Sequence, residues 1–291
     1  MKTAFVFAGG GSLGAIQVGM LKALTENALR PDLLVGSSVG AINAAYFAAD
    51  PTSHGISRLE AIWLSLHRDD VFHFSWISGI KGLLGKRTHL FDEKTFERFL
   101  AERLPYREFH DAAVPVHIIA SEFVSGEEVI LSQGKMLSAL QASAAIPGIF
   151  PPVEIDGRYL IDGGVANHTP VSTAIRLGAS RLIILPTGFT CAPSLPPSGA
   201  LNIALHALNL IIARQLLQDL EVHRQEAEIL VVPPLCPQQT HPLDFHAAGL
   251  LIDQGYALTR QWLDQDGLNK SSGFECIMPH RHDHAQEPIK G

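Results

Sequence analysis

Short apolar runs alternate with longer stretches of helical periodicity along this chain, and that alternation limits its fold more than any other feature. Apolar runs bounded by Gly, Pro or Asp are typical of buried strands, and apolar residues spaced three and four apart are typical of helices. A helix between two strands returns the chain so that the strands pair in parallel. We therefore expect an α/β fold with a largely parallel central sheet flanked by helices in a three-layer architecture.

The expected elements follow one another over most of the sequence. The predicted strands are 4–8, 33–36, 116–121, 128–131, 159–161, 181–185 and 229–232. The predicted helices are 14–27, 39–49, 56–67, 93–103, 135–142, 171–177, 201–224 and 245–263. In a chain of 291 residues, one domain over 1–266 followed by a loosely ordered tail over 267–291 is the simplest organisation.

Composition and charge exclude several classes of protein. Hydrophobic residues make up 46% and charged residues 18% of the chain, which provides a substantial core and too little charge for disorder. The formal net charge is -7, and no run of Lys or Arg forms the basic stripe of a nucleic-acid-binding protein. We expect a globular protein that does not bind nucleic acid.

Cysteine usage and hydropathy predict a cellular location. The three cysteines, Cys191, Cys236 and Cys276, match neither a zinc spacing nor an even-numbered disulfide framework, which favours a reducing compartment. The most apolar long stretch, 200–217, is interrupted by polar residues and falls short of a membrane span. We expect a cytoplasmic protein with no metal and no cofactor, whose membrane contact would be peripheral, at the inner membrane face.

Gly36-Ser37-Ser38-Val39-Gly40 matches the G-x-S-x-G nucleophile elbow. It follows a predicted strand and precedes a predicted helix, which is the context that this motif requires. The strained strand-to-helix turn needs small neighbours and leaves the serine hydroxyl accessible above the sheet. We interpret Ser38 as a nucleophile whose position near a helix N-terminus favours developing negative charge.

A second glycine-rich junction, Gly9-Gly10-Gly11-Ser12-Leu13-Gly14, joins the first strand to the first helix. Consecutive glycines let backbone N–H groups point outward, which suits either an oxyanion hole or a phosphate cradle. The same residues also match the dinucleotide-binding motif G-x-G-x-x-G. That motif also needs an acid at the end of the second strand, whereas Asp32 lies at its beginning, so we disfavour the dinucleotide interpretation.

Asp162-Gly163-Gly164 follows the short apolar strand 159–161. A carboxylate at the end of a strand can accept the proton of a serine hydroxyl as a general base. The motif is weak alone, because Asp-Gly-Gly is a common turn. Upstream, residues 142–152 are interpreted as the end of a helix of small residues, followed by prolines. No catalytic role is evident for this segment from the residues alone.

Taken together, these segments resemble the patatin-like phospholipases, in their bacterial branch. The likeness covers roughly residues 4–265 and includes the block from Ser143 to Pro152 and the residues Pro242, Leu243, Asp244, Phe245, Gly255 and Tyr256. The resemblance implies a serine hydrolase that cleaves fatty acyl esters of lipids through an acyl-enzyme. It also implies a catalytic dyad of Ser38 and Asp162, without a histidine.

By position, the resemblance assigns an oxyanion hole to the backbone around the nucleophile. Its candidates are Gly9, Gly10, Gly11, Gly14 and Val39, and the motif glycines of the elbow and dyad are Gly36, Gly40, Gly163 and Gly164. Many members of the family carry Arg or Lys where this chain has Leu13. The attraction to anionic phospholipid head groups should therefore be weaker here.

Other interpretations remain open from the sequence. A Ser-Asp-His triad could use His206, His223, His241 or His246, although the elbow of an α/β-hydrolase normally follows several strands. His168 is close to Asp162 in sequence and is interpreted as a loop residue after the turn. A serine acyltransferase and an acyl-lipid-binding protein of the same fold are further alternatives. Residues 72–90 are interpreted as a packed connection or a cap over a lipid site, and the histidine-rich stretch 280–284 as a solvated segment.

Overall fold

A mixed sheet forms the middle layer of the protein, as described by a computed structural model. The structure describes residues 1–67, 93–188, 200–236, 240, 244–269 and 274–278. Within these residues the strands are β1 (Thr3–Phe7), β2 (Leu33–Ser37), β3 (Val116–Glu122), β4 (Glu128–Leu131), β5 (Val153–Ile155), β6 (Arg158–Asp162), β7 (Arg181–Leu185) and β8 (Glu228–Val231).

The helices pack on this sheet and agree closely with the sequence prediction. They are α1 (Ala15–Glu26), α2 (Val39–Ala49), α3 (Ser53–Ser65), α4 (Glu93–Arg103), α5 (Met136–Ser143), α6 (Val171–Arg176), α7 (Ala200–His223) and α8 (Ala248–Asp264). Short 3-10 turns cover Gly11–Gly14, Phe109–Asp111, Gly163–Val165 and Phe274–Ile277. The strand that the sequence did not predict, β5, has only three residues, too few to show a period of two.

The sheet is parallel in its centre and antiparallel at one side. Hydrogen-bonded neighbours follow the order β5-β6-β3-β2-β1-β7-β8, and β4 also pairs with β3. The pairs among β3, β2, β1, β7 and β8 are parallel, as predicted. The pairs that involve β4, β5 and β6 are antiparallel, because short turns join β3 to β4 and β5 to β6 and cannot carry a crossover.

One edge of β3 is shared by two strands. The antiparallel partner β4 pairs with Ile118 through Ser121 and therefore fills one edge of β3. Since a strand has two edges, β2 and β6 both lie along the other edge. There β2 ends with Ser37 opposite Ile119, and β6 arrives from the opposite direction and ends with Asp162 opposite Ala120. The two strands thus meet end to end, and β2 must turn away immediately after Ser37.

Alternating residues of β1 divide the core between the two faces of the sheet. Phe5 and Phe7 point into one buried cluster, with apolar side chains from α1, α2, α3, α4, α5 and α8. Ala4 and Val6 point into the other cluster, with side chains from α6 and α7. Helices therefore cover both faces, and the three-layer prediction is confirmed.

Three further expectations concern parts of the chain away from the site. Cys236 is disulfide-bonded, although the cysteine spacing matches no even-numbered disulfide framework, so the cysteines do not support the expected reducing compartment. Within the predicted tail, Ile277 is fully buried against the α6 and α7 side of the sheet, so this turn is not loosely held. None of the described helices is both long and apolar enough to cross a bilayer. Residues 72–90 and 280–284 lie outside the described residues.

Candidate active site

Ser38 occupies the sharp turn between β2 and α2. Its backbone has φ 53° and ψ -127°, a conformation in which a residue with a side chain is strained. The turn is tight because backbone atoms approach each other closely: a Cβ on Gly40 would lie 2.5 Å from the carbonyl oxygen of Ala8, and one on Gly36 would lie 2.5 Å from that of Gly40. The predicted elbow glycines are therefore required by close backbone packing.

The Ser38 side chain lies next to Asp162, because β2 and β6 end beside each other along the same edge of β3. The hydroxyl of Ser38 donates a 2.7 Å hydrogen bond to Oδ2 of Asp162. Both side chains are buried, with 8% of Ser38 and 7% of Asp162 exposed. The structure thus brings together the two residues that the sequence predicted as nucleophile and base.

The surroundings of Asp162 hold its carboxylate in place. Oδ1 accepts a 2.7 Å hydrogen bond from the N–H of Gly164, and the Ser121 hydroxyl donates a 2.8 Å hydrogen bond to the Asp162 carbonyl oxygen. A Cβ on Gly163 would lie 2.2 Å from the Ile119 carbonyl oxygen, so the turn after Asp162 needs a glycine there. Burial raises the pKa of Asp162 to about 6, while the hydrogen bonds from Ser38 and Gly164 act to lower it.

The glycine loop after β1 presents two backbone N–H groups without acceptors. Gly10 has φ 146° and Gly11 has φ 60°, and neither N–H has an acceptor among the described residues. A Cβ on Gly10 would also lie 2.3 Å from Oγ1 of Thr187. The N–H of Val39, at the first position of α2, is likewise unpaired within the described residues. These groups have the character of oxyanion-hole donors.

Two of the predicted oxyanion residues have a different role. The N–H of Gly9 donates to the carbonyl oxygen of His168 at 3.1 Å and is not available to a ligand, so its assignment as an oxyanion donor is wrong. A Cβ on Gly14 would lie 2.6 Å from Cγ2 of Val39 and 3.0 Å from the Trp63 ring. Gly14 therefore allows the glycine loop to pack closely against α2 and α3.

Ser143 is a site residue that sequence reasoning missed. Its hydroxyl accepts a 2.9 Å hydrogen bond from the Ser38 N–H and donates a 2.5 Å hydrogen bond to the Ile119 carbonyl oxygen. The side chain is fully buried at the end of α5 and links the elbow to β3. The signal that could have found it is its place at the start of the block 143–152, which carried part of the family resemblance.

A buried amide network holds the helices around the glycine loop, and no local sequence pattern predicts it. Gln17 donates to the carbonyl oxygens of Ala8 and Leu185, at 2.9 and 2.8 Å. Asn43 donates to Gln17 and accepts a 2.9 Å hydrogen bond from the Trp63 indole. The network ties α1, α2 and α3 to the carboxyl ends of β1 and β7, where the site lies.

His168 is the histidine nearest the site among the described side chains. A Cβ built on Gly9 would lie 3.0 Å from its Nε2 and 3.3 Å from Cβ of Ser38. The ring contacts the hydroxyl of Thr169 at 3.4 Å through Nδ1 and makes no hydrogen bond to Asp162. Burial lowers the pKa of His168 to about 4, which keeps the imidazole neutral near pH 7.

The histidines proposed for a triad lie elsewhere or outside the described residues. His223 interacts with Glu226 at 3.0 Å near the end of α7, and His246 packs edge-on against His67. His241 and the side chain of His206 are not among the described residues. The described geometry therefore offers no Ser-Asp-His chain of hydrogen bonds.

An apolar pocket opens beside Ser38. The volume of the cavity is about 70 Å³. It is bounded by α2, α3, α4 and the start of the 143–152 block, and its lining residues are Gly11, Ser38, Val39, Ile42, Tyr46, Leu59, Ile62, Trp63, Leu66, Phe96, Phe99, Ala144, Ile146, Phe150 and Phe245. The lining has the composition expected for an alkyl chain.

Sequence comparisons identify similar proteins. The family model described as patatin-like phospholipase matches residues 5–175. The chain is 28% identical over 187 residues to patatin-like phospholipase domain-containing protein 7 of Rattus norvegicus, covering 64% of this chain and 13% of that protein. It is 24% identical over 185 residues to the neuropathy target esterase sws of Drosophila melanogaster, covering 63% and 13%. The chain thus matches about 13% of the length of these relatives.

Structural comparisons give more distant likenesses. VipD from Legionella pneumophila has a TM-score of 0.48 at 15% identity, covering 91% of this chain and 67% of that one. The human GIVD cytosolic phospholipase A2, solved in complex with methyl gamma-linolenyl fluorophosphonate, has a TM-score of 0.47 at 13% identity, covering 92% and 58%.

Proposed function

The chain belongs to the patatin-like phospholipase family, and from this premise we propose that it hydrolyses fatty acyl esters of lipids by a Ser38–Asp162 dyad. The observation that carries the proposal is the 2.7 Å hydrogen bond from the Ser38 hydroxyl to the Asp162 carboxylate. It is supported by the strained elbow, by the unpaired N–H groups of the glycine loop and by the apolar pocket.

In the first half of the reaction, Ser38 becomes acylated. Its Oγ attacks the carbonyl carbon of the ester while its proton passes to Oδ2 of Asp162. The N–H groups of Gly10, Gly11 and Val39 stabilise the negative charge that develops on the carbonyl oxygen. When the tetrahedral intermediate collapses, the alcohol leaves with the proton from Asp162, and the acyl group remains on Ser38.

In the second half, water releases the acyl group. Asp162 accepts a proton from a water molecule as its oxygen attacks the carbonyl carbon of the acyl-enzyme. Collapse of the second intermediate releases the fatty acid and returns the proton to Ser38. A carboxylate is a weak base in water, and burial strengthens it by raising its pKa toward the working pH.

The pocket receives the acyl chain. It begins at Ser38 and Gly11, so an ester whose carbonyl group lies at the nucleophile can extend its alkyl chain between α2, α3 and α4. Burying each methylene contributes about 0.8 kcal/mol of binding free energy. Esters with acyl chains long enough to fill the pocket should therefore be better substrates than acetates.

A fluorophosphonate probe followed by an ester panel tests the proposal. The probe should label the wild-type protein at Ser38, and Ser38→Ala should remove both the label and ester hydrolysis. Ser37→Ala is the matched control, because it removes a buried hydroxyl from the same turn and should still be labelled. Labelling of Ser38→Ala at the wild-type level would refute the assignment. Product analysis with added alcohol separates hydrolysis from acyl transfer.

Peripheral membrane contact belongs to the same proposal. Phe123 and Val124 follow the carboxyl end of β3. The N–H of Phe123 donates a 2.8 Å hydrogen bond to the carbonyl oxygen of Tyr159. Val165 lies in the turn after Asp162. Each is more than half exposed, and Val124 is 87% exposed. These four residues, the apolar patch, lie at the end of the sheet that holds Ser38. Contact with lipid there would bring the substrate to the site.

Charge at the apolar patch favours zwitterionic over anionic lipid. The Glu122 carboxylate accepts hydrogen bonds from the N–H groups of Val124 and Ser125, which lower its pKa and keep it ionised. Together with Leu13 in place of a basic residue and a net charge of -7, this weakens the attraction to anionic head groups, although the positive charge of Arg158 lies close enough to act on Glu122. Peripheral contact at a membrane face is thus part of the proposal.

A further inference from the structure

The Thr187 side chain holds one peptide unit of the glycine loop. Its hydroxyl donates a 2.5 Å hydrogen bond to the carbonyl oxygen of Gly9. Thr187 comes directly after the end of β7, and β7 pairs in parallel with β1, which leads into the glycine loop. The carboxyl ends of these two strands lie side by side, so the Thr187 side chain reaches the loop from the neighbouring strand.

Holding the carbonyl group of a peptide unit also directs its N–H group. A peptide unit is planar and trans, so its C=O and its N–H point to opposite sides. The carbonyl group of Gly9 and the N–H of Gly10 belong to one such unit, and this N–H has no acceptor within the part of the chain that the structure describes. Thr187 therefore holds the carbonyl oxygen on one side of the loop, and the N–H of Gly10 points to the other side.

Main-chain hydrogen bonds hold the peptide units on either side. The N–H of Gly9 donates to the carbonyl oxygen of His168 at 3.1 Å, and the carbonyl oxygen of Gly10 accepts a 3.3 Å hydrogen bond from the N–H of Leu13. No side-chain substitution removes these bonds. The hydrogen bond from Thr187 to the unit between them depends on a side chain, so it can be removed without changing the glycine loop itself.

Thr187 is placed to act on the loop and not on an ester. Its side chain is buried, with 4% exposed, and it is not among the residues that line the apolar pocket. A Cβ on Gly10 would lie 2.3 Å from Oγ1 of Thr187, so the hydroxyl packs directly against the loop backbone. Gly11, the next residue of the loop, borders the pocket together with Ser38. The hydroxyl thus contacts the backbone one residue before the loop reaches the nucleophile.

We propose that Thr187 is a positioning residue of the oxyanion hole, because its hydroxyl holds the Gly9–Gly10 peptide unit with the Gly10 N–H directed at the developing oxyanion. The inference rests on the proposed function, in which that N–H stabilises the charge on the carbonyl oxygen of the ester. A donor that is already held in place needs no reorientation when the charge forms, which is the source of its effect on the rate.

Removing the hydroxyl and keeping the shape of the side chain tests the role. In Thr187→Val, kcat for a short-chain ester should fall about tenfold and KM should change less than about twofold, because the N–H is misdirected and not lost, whereas complete loss of a donor reduces kcat by about 10²–10³-fold. Thr187→Ser keeps the hydroxyl and should stay within about threefold of the wild-type kcat. A folded Thr187→Val with the wild-type kcat would overturn the proposal, as would a Thr187→Ser that falls equally far.

Thr259→Val is the matched control. Thr259 is fully buried in α8, and its hydroxyl also donates to a glycine carbonyl oxygen, that of Gly255, at 2.7 Å. This variant should keep the wild-type kcat, and an equal fall in kcat would overturn the proposal. If Thr187→Val does not fold, Thr187→Ala is compared with Thr187→Ser in the same way. A wild-type kcat in Thr187→Ala would overturn the proposal as well.

Inhibitor binding separates the oxyanion hole from the apolar pocket. With a short-chain trifluoromethyl ketone, Oγ of Ser38 bonds to the ketone carbon, its proton passes to Asp162, and the ketone oxygen becomes an oxyanion. The corresponding secondary alcohol forms no bond and no oxyanion. Thr187→Val should weaken binding of the ketone about tenfold and leave binding of the alcohol unchanged. Equal weakening of both, or of neither, would overturn the proposal.

The failure of this inference can be distinguished from the failure of the proposed function. Ester hydrolysis that persists in Ser38→Ala would refute the proposed function, and the assignment of Thr187 with it. Hydrolysis that requires Ser38 but keeps its wild-type kcat in Thr187→Val would overturn the positioning role alone.

Discussion

The hydroxyl of Ser143 accepts a 2.9 Å hydrogen bond from the N–H of Ser38, across a separation of 105 residues in the sequence. The same hydroxyl donates to the carbonyl oxygen of Ile119, so α5, the elbow and β3 are joined at one atom. Because the Ser38 backbone is strained, this hydrogen bond helps to hold the nucleophile in its reactive conformation. Ser143 is therefore a positioning residue.

Replacing Ser143 tests that role. Ser143→Ala leaves the buried N–H of Ser38 without its acceptor, which costs about 1–3 kcal/mol. We expect a lower melting temperature and a kcat reduced about tenfold, with little change in KM for a short ester. Ser37→Ala is the control, because the buried Ser37 hydroxyl has no hydrogen-bond partner within the part of the chain that the structure describes. An equal fall in kcat for Ser37→Ala would contradict the positioning role.

Asp162→Asn should abolish most of the ester hydrolysis. The amide can still fill the site beside Ser38 but cannot accept its proton, so kcat should fall by on the order of 10²-fold or more, as for a lost general base. Thermal unfolding checks that the variant is folded. Under the dyad mechanism, single replacements of His168, His206, His223, His241 and His246 retain substantial activity. A stable histidine variant that falls as far as Asp162→Asn would establish a triad instead.

The pH dependence should report the buried carboxyl group. Burial raises the pKa of Asp162 to about 6, and the base must be deprotonated to work. Activity should therefore be constant above that pH and fall about tenfold for each pH unit below it. Because the pKa of His168 is lowered to about 4, His168→Asn should leave the midpoint in place. A kcat/KM profile whose midpoint moves with that variant would assign the titration to the histidine.

The apolar patch should determine how strongly the protein binds to lipid vesicles, and it should not affect the rate at which a monomeric ester is hydrolysed. Replacing Phe123 and Val124 together by Ser removes apolar surface at the carboxyl end of β3, so binding to phosphatidylcholine vesicles should fall about tenfold or more. Hydrolysis of a monomeric short-chain ester should not change. Val222→Ser is the matched control, since Val222 is also exposed but lies near the end of α7, by the opposite end of the sheet. Equal loss of vesicle binding in both variants would rule out the patch.

The sequence predicts the elements and the reacting pair better than it predicts how they come together. Hydrophobic periodicity locates the strands and helices because burial on one face is encoded locally, and Ser38 and Asp162 stand in motifs with the expected flanking strands. The antiparallel pairing of β6 with β3, which places these two residues in contact, depends on register between distant strands and has no local signal.

The sequence also does not predict which backbone N–H groups of the glycine loop are already hydrogen-bonded. Gly9, Gly10 and Gly11 are identical in sequence, yet the carbonyl oxygen of His168 occupies the N–H of Gly9 and leaves the other two unpaired. The hydrogen bonds that Ser143 and the carbonyl oxygen of His168 accept from Ser38 and Gly9 were likewise not predicted, because they join residues far apart along the chain. A glycine run predicts a loop that can expose N–H groups, and only the tertiary contacts select which of them are exposed.

The meeting of β2 and β6 along one edge of β3 has a consequence for the order of events during folding. Ser38 and Asp162 are 124 residues apart in sequence, so their contact has a high contact order and forms only after long-range strand pairing. A growing chain that has been synthesised as far as β3 already contains Ser38 but does not yet contain Asp162. Under the proposed dyad mechanism, a growing chain therefore cannot hydrolyse an ester until β6 has paired with β3.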